Sequence, residues 1–180
     1  MSHTEYEKKM LLSEKEYLLL YDLFFQGQVP QKQTNFYYDT PDRSFHRRNI
    51  TVRVREKNGE FLGTIKTHMG SDSDASSEEN FLTNEFPDWF EYEGLWLSFQ
   101  GELVTERLKI DLGNQLILAL DRNQYLGKTD YELELEYLPN QTLEAEGILT
   151  FLQKILKKDS PYERSMSKSH RFFLQMDKKT

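Results

Sequence analysis

The sequence predicts an α+β domain built on an antiparallel sheet, from three observations. Five segments alternate apolar and charged residues with a period of two, as strands do when one face packs on a core. Two of these runs flank Asn58-Gly59, a pair that favours a tight hairpin turn. Two or three other segments carry apolar residues at helical spacing between cap signals. So few helices among roughly eight strand-like runs give the α+β class.

Residues 4–12, beginning TEYEKKM, read as a first strand with Glu5, Glu7 and Lys9 on one face. Ser13 and Glu16 stand in capping-box spacing and Gly27 supplies a stop, which predicts a helix over 13–27 with Leu18, Leu19, Phe24 and Phe25 on a core. QTNFYYDTPD predicts a short aromatic strand ending in a turn at Asp39 and Pro41. The hairpin follows within residues 49–68, and the small polar run GSDSDASSEEN at 70–80 reads as a mobile loop. FLTNEFP predicts another strand. Residues 88–99 predict a short helix or two, with Trp89 and Trp96 as packing aromatics. Three strands are expected in 102–111, 114–127 and 129–139, then a helix from Thr142 to Lys157 and a last helix after Pro161. No repeat and no linker divides the chain, so residues 1–180 are expected to form one domain.

The chain has 30 Asp+Glu against 23 Lys+Arg and a net charge of -7, which disfavours general nucleic-acid binding. The absence of cysteine excludes disulfides, thiolate metal sites and Cys nucleophiles. The histidines (His3, His46, His68, His170) are scattered, so a bound metal should be a hard cation held by oxygen, such as Mg²⁺ or Mn²⁺. No signal-like or membrane-spanning stretch is present, and the expected setting is the cytoplasm.

The charged strand faces are nearly pure in sign. Arg53 and Arg55 share a face, as do Thr64 and Lys66, and as do Thr105, Arg107 and Lys109. Glu132, Glu134 and Glu136 share another, which sets like charges about 7 Å apart along one strand. A solvated sheet face also alternates, but it usually mixes its signs. Acidic strands come first and late, with basic strands between them, so a closed antiparallel barrel would gather both signs around one lumen. Unpaired charges enclosed there would cost several kcal/mol each. A divalent metal answers the glutamates, and a phosphate chain answers Lys9, Arg53, Arg55, Lys66, Arg107 and Lys109.

These residues resemble the CYTH domain, part of the triphosphate tunnel metalloenzymes. EYEKK matches its ExExK signature, followed in the family's order by NFYYDT at 35–40, VRVR at 52–55, TIK at 64–66, ER at 106–107, LD at 120–121, YELELE at 131–136 and SMSKS at 165–169. The compact length is most similar to single-domain bacterial members. The resemblance implies an eight-stranded antiparallel β-barrel, the triphosphate tunnel, with helices packed outside. It implies Glu5, Glu7, Glu132, Glu134 and Glu136 as metal ligands, with Asp121 at an acidic position near the tunnel mouth. It implies Lys9, Arg53, Arg55, Lys66, Arg107 and Lys168 as phosphate contacts; Lys109 and Glu85 follow by parity alone. His68 stands where some relatives carry a second lysine.

The expected activity is metal-dependent hydrolysis of inorganic triphosphate or of an organic triphosphate, with Glu5, Glu7, Lys9 and Glu134 at the centre of the chemistry. Two alternatives use the same lining: an adenylate cyclase making cyclic AMP from ATP, and a non-catalytic polyphosphate- or nucleotide-binding module. The expected partner is a small-molecule triphosphate, with a homodimer left open and with neither nucleic acid nor membrane.

Overall fold

A computed structural model describes residues 2–70, 73–159, 162–163 and 165–178. Its strands are β1 (Ser2–Leu12), β2 (Gln31–Asp39), β3 (Ile50–Lys57), β4 (Glu60–His68), β5 (Ala75–Leu82), β6 (Trp89–Tyr92), β7 (Leu95–Asp111), β8 (Ile117–Tyr125) and β9 (Lys128–Tyr137). Eight of them form an antiparallel ring in the order β2-β3-β4-β5-β1-β9-β8-β7, closed by pairing of β7 with β2. The ninth, β6, pairs only with the start of β7. The α+β barrel with helices outside is thus the observed architecture.

Period-two alternation sends one side-chain set outward and the other into the lumen. The outward apolar set of β1, β7, β8 and β9 packs under helices α1 (Glu14–Leu20) and α3 (Thr142–Ile155), with Met10, Leu108, Leu120, Leu133 and Leu135 buried against Leu20, Leu149 and Leu152. The outward set of β2, β3 and β4 packs around Phe45 of the short helix α2 (Ser44–Arg47) and Leu97 of β7. Helix α4 (Lys168–Asp177) lays Phe172 and Phe173 on Tyr37, Leu103 and Tyr125. A bulge at Tyr37/Tyr38 leaves room for this: Gly101 there has φ +147°, and a Cβ on it would lie 2.7 Å from the Phe172 ring. No helix among the described residues is long and apolar enough to cross a membrane.

Four expectations are corrected. The first helix ends at Leu20 and continues as a π-helical turn over Tyr21–Phe25, and this wider turn puts Leu20 and Phe25 on one face, five residues apart. Both are fully buried, whereas Leu18 and Leu19 are exposed rather than in the core. The polar run at 70–80 is not a loop beyond Asp74: β5 begins at Ala75 and pairs with both β1 and β4. Its lumen-facing Ser76 and Glu78 are buried, so an interior that tolerates polar groups removed the apolar alternation that marks a strand. FLTNEFP contributes only its first two residues to a strand, since β5 stops at Leu82. Residues 88–99 are a hairpin, not helices, turning at Glu93-Gly94, both with positive φ. Trp89 and Trp96 pack edge to face at 4.5 Å on its outer side and are each more than half exposed.

Candidate active site in the barrel lumen

The inward set lines a cavity of about 100 Å³. Glu5, Glu7 and Lys9 come from β1, Arg53 and Arg55 from β3, Lys66 and His68 from β4, Glu78 from β5, Arg107 from β7, and Glu134 and Glu136 from β9. Lys168 enters from the first turn of α4, whose N-cap is the Ser167 hydroxyl. With Tyr37 from β2, eight segments supply one lining, because the ring sets β1 beside β9 and β7 beside β2.

The β1–β9 register sets Glu7 directly opposite Glu136 and Lys9 opposite Glu134. Facing carboxylates repel unless a cation stands between them. Here the cations are side chains. Lys66 donates to Glu5 at 2.5 Å and to Glu7 at 3.3 Å, and Lys9 donates to Glu7 at 2.5 Å. Burial works upward on the Glu7 carboxyl, but Lys9 and Lys66 outweigh it and hold the group well below the ordinary carboxylate range. Burial dominates at Glu5 and raises it against the pull of Lys66. Lys66, ringed by Glu7, Glu5 and Glu78, is held above its ordinary value despite its burial.

A second cluster runs behind this wall. Arg107 forks Asp121 at 2.7 and 2.5 Å and also donates to Glu134. Lys168 bridges Asp121, Glu132 and Glu134 at 2.9, 3.0 and 2.6 Å. Arg171 binds Asp130 at 2.9 Å, Glu132, and the Met166 carbonyl at 2.5 Å. These groups are almost wholly shielded from solvent.

The β2–β3 side differs. Arg53 has its nearest carboxylate, Glu78, at 3.6 Å, and its Nε finds no acceptor among the described residues. Half-buried Arg55 donates from Nε to Asn35 Oδ1 at 2.9 Å. No carboxylate of the described residues lies within 4.0 Å of it. Burial first, then Arg53 and Arg107, push its guanidinium down to about 9. This is a cationic surface with too few anions of its own.

Most of the residues singled out from the sequence meet in this lumen, but not all line the cavity. Lys109, two residues beyond Arg107 on β7, is exposed and does not line the cavity. Glu85 lies exposed after β5, outside the barrel. Asp121 and Glu132 are fully buried in the second cluster, each held by two cations, and neither lines the cavity. Sequence reasoning missed Glu78, hidden in the run read as a loop, and the pairing of Arg171 with Asp130 behind Lys168. The available signals were Asp130 just before YELELE and the helical spacing of Lys168 and Arg171.

Among the described residues, no three His, Cys, Asp or Glu side chains are grouped so as to hold a metal ion. The donor chemistry nonetheless fits a hard divalent cation: the lining offers carboxylate oxygens, with no thiolate, and Glu7 faces Glu136 across one strand pair. A second cavity of about 280 Å³ shares Lys9, His68 and Ser167 with the first and adds Asn49, Met166 and His170. It carries fewer charged side chains than the first cavity, which it adjoins.

The sequence profile of the CYTH domain matches residues 3–173. The Bacillus subtilis (strain 168) protein named "Putative triphosphatase YjbK" is 29% identical over 150 residues, covering 73% of this chain and 76% of that protein. A Bacillus halodurans crystal structure described as a "putative adenylate cyclase" superposes with a TM-score of 0.73 at 25% identity, over 96% of this chain and 98% of that one. The Hippeastrum protein HpAC1, described as a "putative adenylyl cyclase" that reveals a dominant triphosphatase activity, shares the fold at a TM-score of 0.63 and 20% identity, over 97% and 96% of the two chains.

Proposed function

Because the chain belongs to the CYTH domain family, we propose that it hydrolyses the terminal phosphoryl group of a triphosphate in this lumen, with Mg²⁺ or Mn²⁺ as cofactor. The observation that carries this reading is the division of the lining. Carboxylates gather on β1 and β9, and arginines short of anions gather on β3. A cation together with a polyanion satisfies both sides at once. The name borne by the Bacillus subtilis relative supports the same chemistry.

Glu5, Glu7, Glu134 and Glu136 would hold the cation, which supplies charge neutralisation and polarises phosphoryl oxygens. Asp121 and Glu132 instead hold Arg107, Lys168 and Arg171 in place. Arg53 and Arg55 fork phosphate oxygens, while Lys9, Lys66 and Lys168 add point charges. Together they neutralise the negative charge that spreads over the transferred group. An organic substituent on the phosphate chain would emerge into the second cavity at Asn49 and His170.

The test is phosphate release from inorganic triphosphate and from ATP, with each metal. Glu134→Gln should lower kcat on the order of a thousandfold, with circular dichroism reporting an intact fold. Near-normal turnover in this variant would remove the metal assignment. Cyclic AMP in place of orthophosphate would make the protein a cyclase, and tight binding without release would make it a binding module.

A further inference from the structure

The proposed phosphate site leaves a set of buried donors unexplained. Gln33, Asn35 and Tyr37 alternate on the inward face of β2, and Asn35 lies directly opposite Arg55 in the β2–β3 register. Asn35 is wholly buried and commits its Oδ1 to Arg55 Nε at 2.9 Å, which points its amide nitrogen elsewhere. That nitrogen has no acceptor among the described residues, and neither has Gln33 Nε2, on a side chain that is only 5% exposed. Arg53 Nε completes the surplus. A buried donor without an acceptor ordinarily costs more than the hydrogen bond it could make, so proteins seldom keep several together. All of these lie on the wall where Arg55 has no carboxylate.

We propose that Asn35 and Gln33 are further substrate-binding residues, donating their amide N–H groups to oxygens of the phosphate that Arg55 grips. This rests on the triphosphate reading and adds two donors to it. Tyr37, two residues along the same face, lines the cavity and packs on Phe172 at 4.9 Å.

The 180-residue chain is titrated with inorganic triphosphate by calorimetry, with a chelator present so that metal binding does not enter, and melting temperature is read in parallel. Gln33→Met keeps the volume and removes the surplus donor, so the ligand-free protein should melt no lower than wild type while triphosphate binds about tenfold more weakly. Asn35→Asp keeps the acceptor for Arg55 but replaces the donor by a charged oxygen, and should weaken binding at least as much without loss of melting temperature. Arg55→Gln is the reference for the site as a whole. If it weakens binding while both β2 variants bind like wild type, water serves those amides and this inference is overturned, with the triphosphate reading intact. If the wild-type chain binds no triphosphate either with the chelator or with Mg²⁺ supplied, that reading falls and takes the inference with it.

Discussion

The two sides of the lumen use the same residue types in opposite ways. Behind β9, the cations Arg107, Lys168 and Arg171 are each shared among two or three carboxylates, and the network closes upon itself. On β2 and β3, Arg53 reaches one carboxylate at 3.6 Å, and Arg55 meets an amide. Buried charge is tolerated only when it is paired, so the closed network can be scaffold, whereas the half-buried arginines of the open wall fit the bound anion proposed above. The difference separates cations whose charge is balanced within the chain from cations short of anions, although both look alike in sequence.

Breaking the closed side should have the largest effect on stability. Asp121 is fully buried and accepts from both Arg107 and Lys168. Asp121→Asn removes the charge shared by two buried cations and should lower unfolding free energy by roughly 3 kcal/mol, read from the urea midpoint at constant m. An unchanged midpoint would mean that the network is not a scaffold.

The same operation on the open side should give the reverse signature. Arg55→Gln removes a guanidinium that no carboxylate balances and that its surroundings already push down. Stability should stay within about 0.5 kcal/mol of wild type or rise, while triphosphate affinity falls tenfold or more, about 1.4 kcal/mol. The wild-type affinity should also weaken with added salt more than that of the variant, since one fewer cation faces the ligand. Loss of stability together with retained affinity would erase the distinction between the two walls.

Much of this was legible in the sequence because a barrel converts parity into location. Strand parity alone placed Glu5, Glu7, Lys9, Arg53, Arg55, Lys66, Arg107, Glu134 and Glu136 around one cavity. Parity cannot say how far along the tunnel a residue lies. Lys109 therefore shares its face with Arg107 yet stands exposed, and Glu132 shares its face with Glu134 yet stands behind the cavity. β5 was illegible for a related reason: Ser76 and Glu78 are interior residues of a polar interior, so burial left no hydrophobic trace. The exposed Trp89 and Trp96 misled in the other direction, since aromatic rings pair on an outer hairpin as readily as in a core. The turn at Glu93-Gly94 was the signal that could have revealed that hairpin.

The comparison sharpens further against a carboxylate outside the barrel. Glu16 completes the capping box of α1, accepting from the Ser13 N–H at 2.7 Å and pairing with Lys158 at 2.9 Å. Burial works upward on its carboxyl, but the Ser13 amide, Lys158 and the Ser13 hydroxyl outweigh it and hold the group below its ordinary value of 4.5. A carboxyl depressed in the folded state contributes stability that is complete above the unfolded value and disappears as pH falls through the folded one. Glu16→Gln should therefore lose only about 0.5 kcal/mol at neutral pH. The gap between wild type and variant should close on acidification below 4.5. Parallel urea midpoints at pH 7 and in mild acid measure both. A loss here as large as that of Asp121→Asn would show that pairing is worth the same in water as in the enclosed network, and that enclosure is not what makes the lumen's charges costly to leave alone.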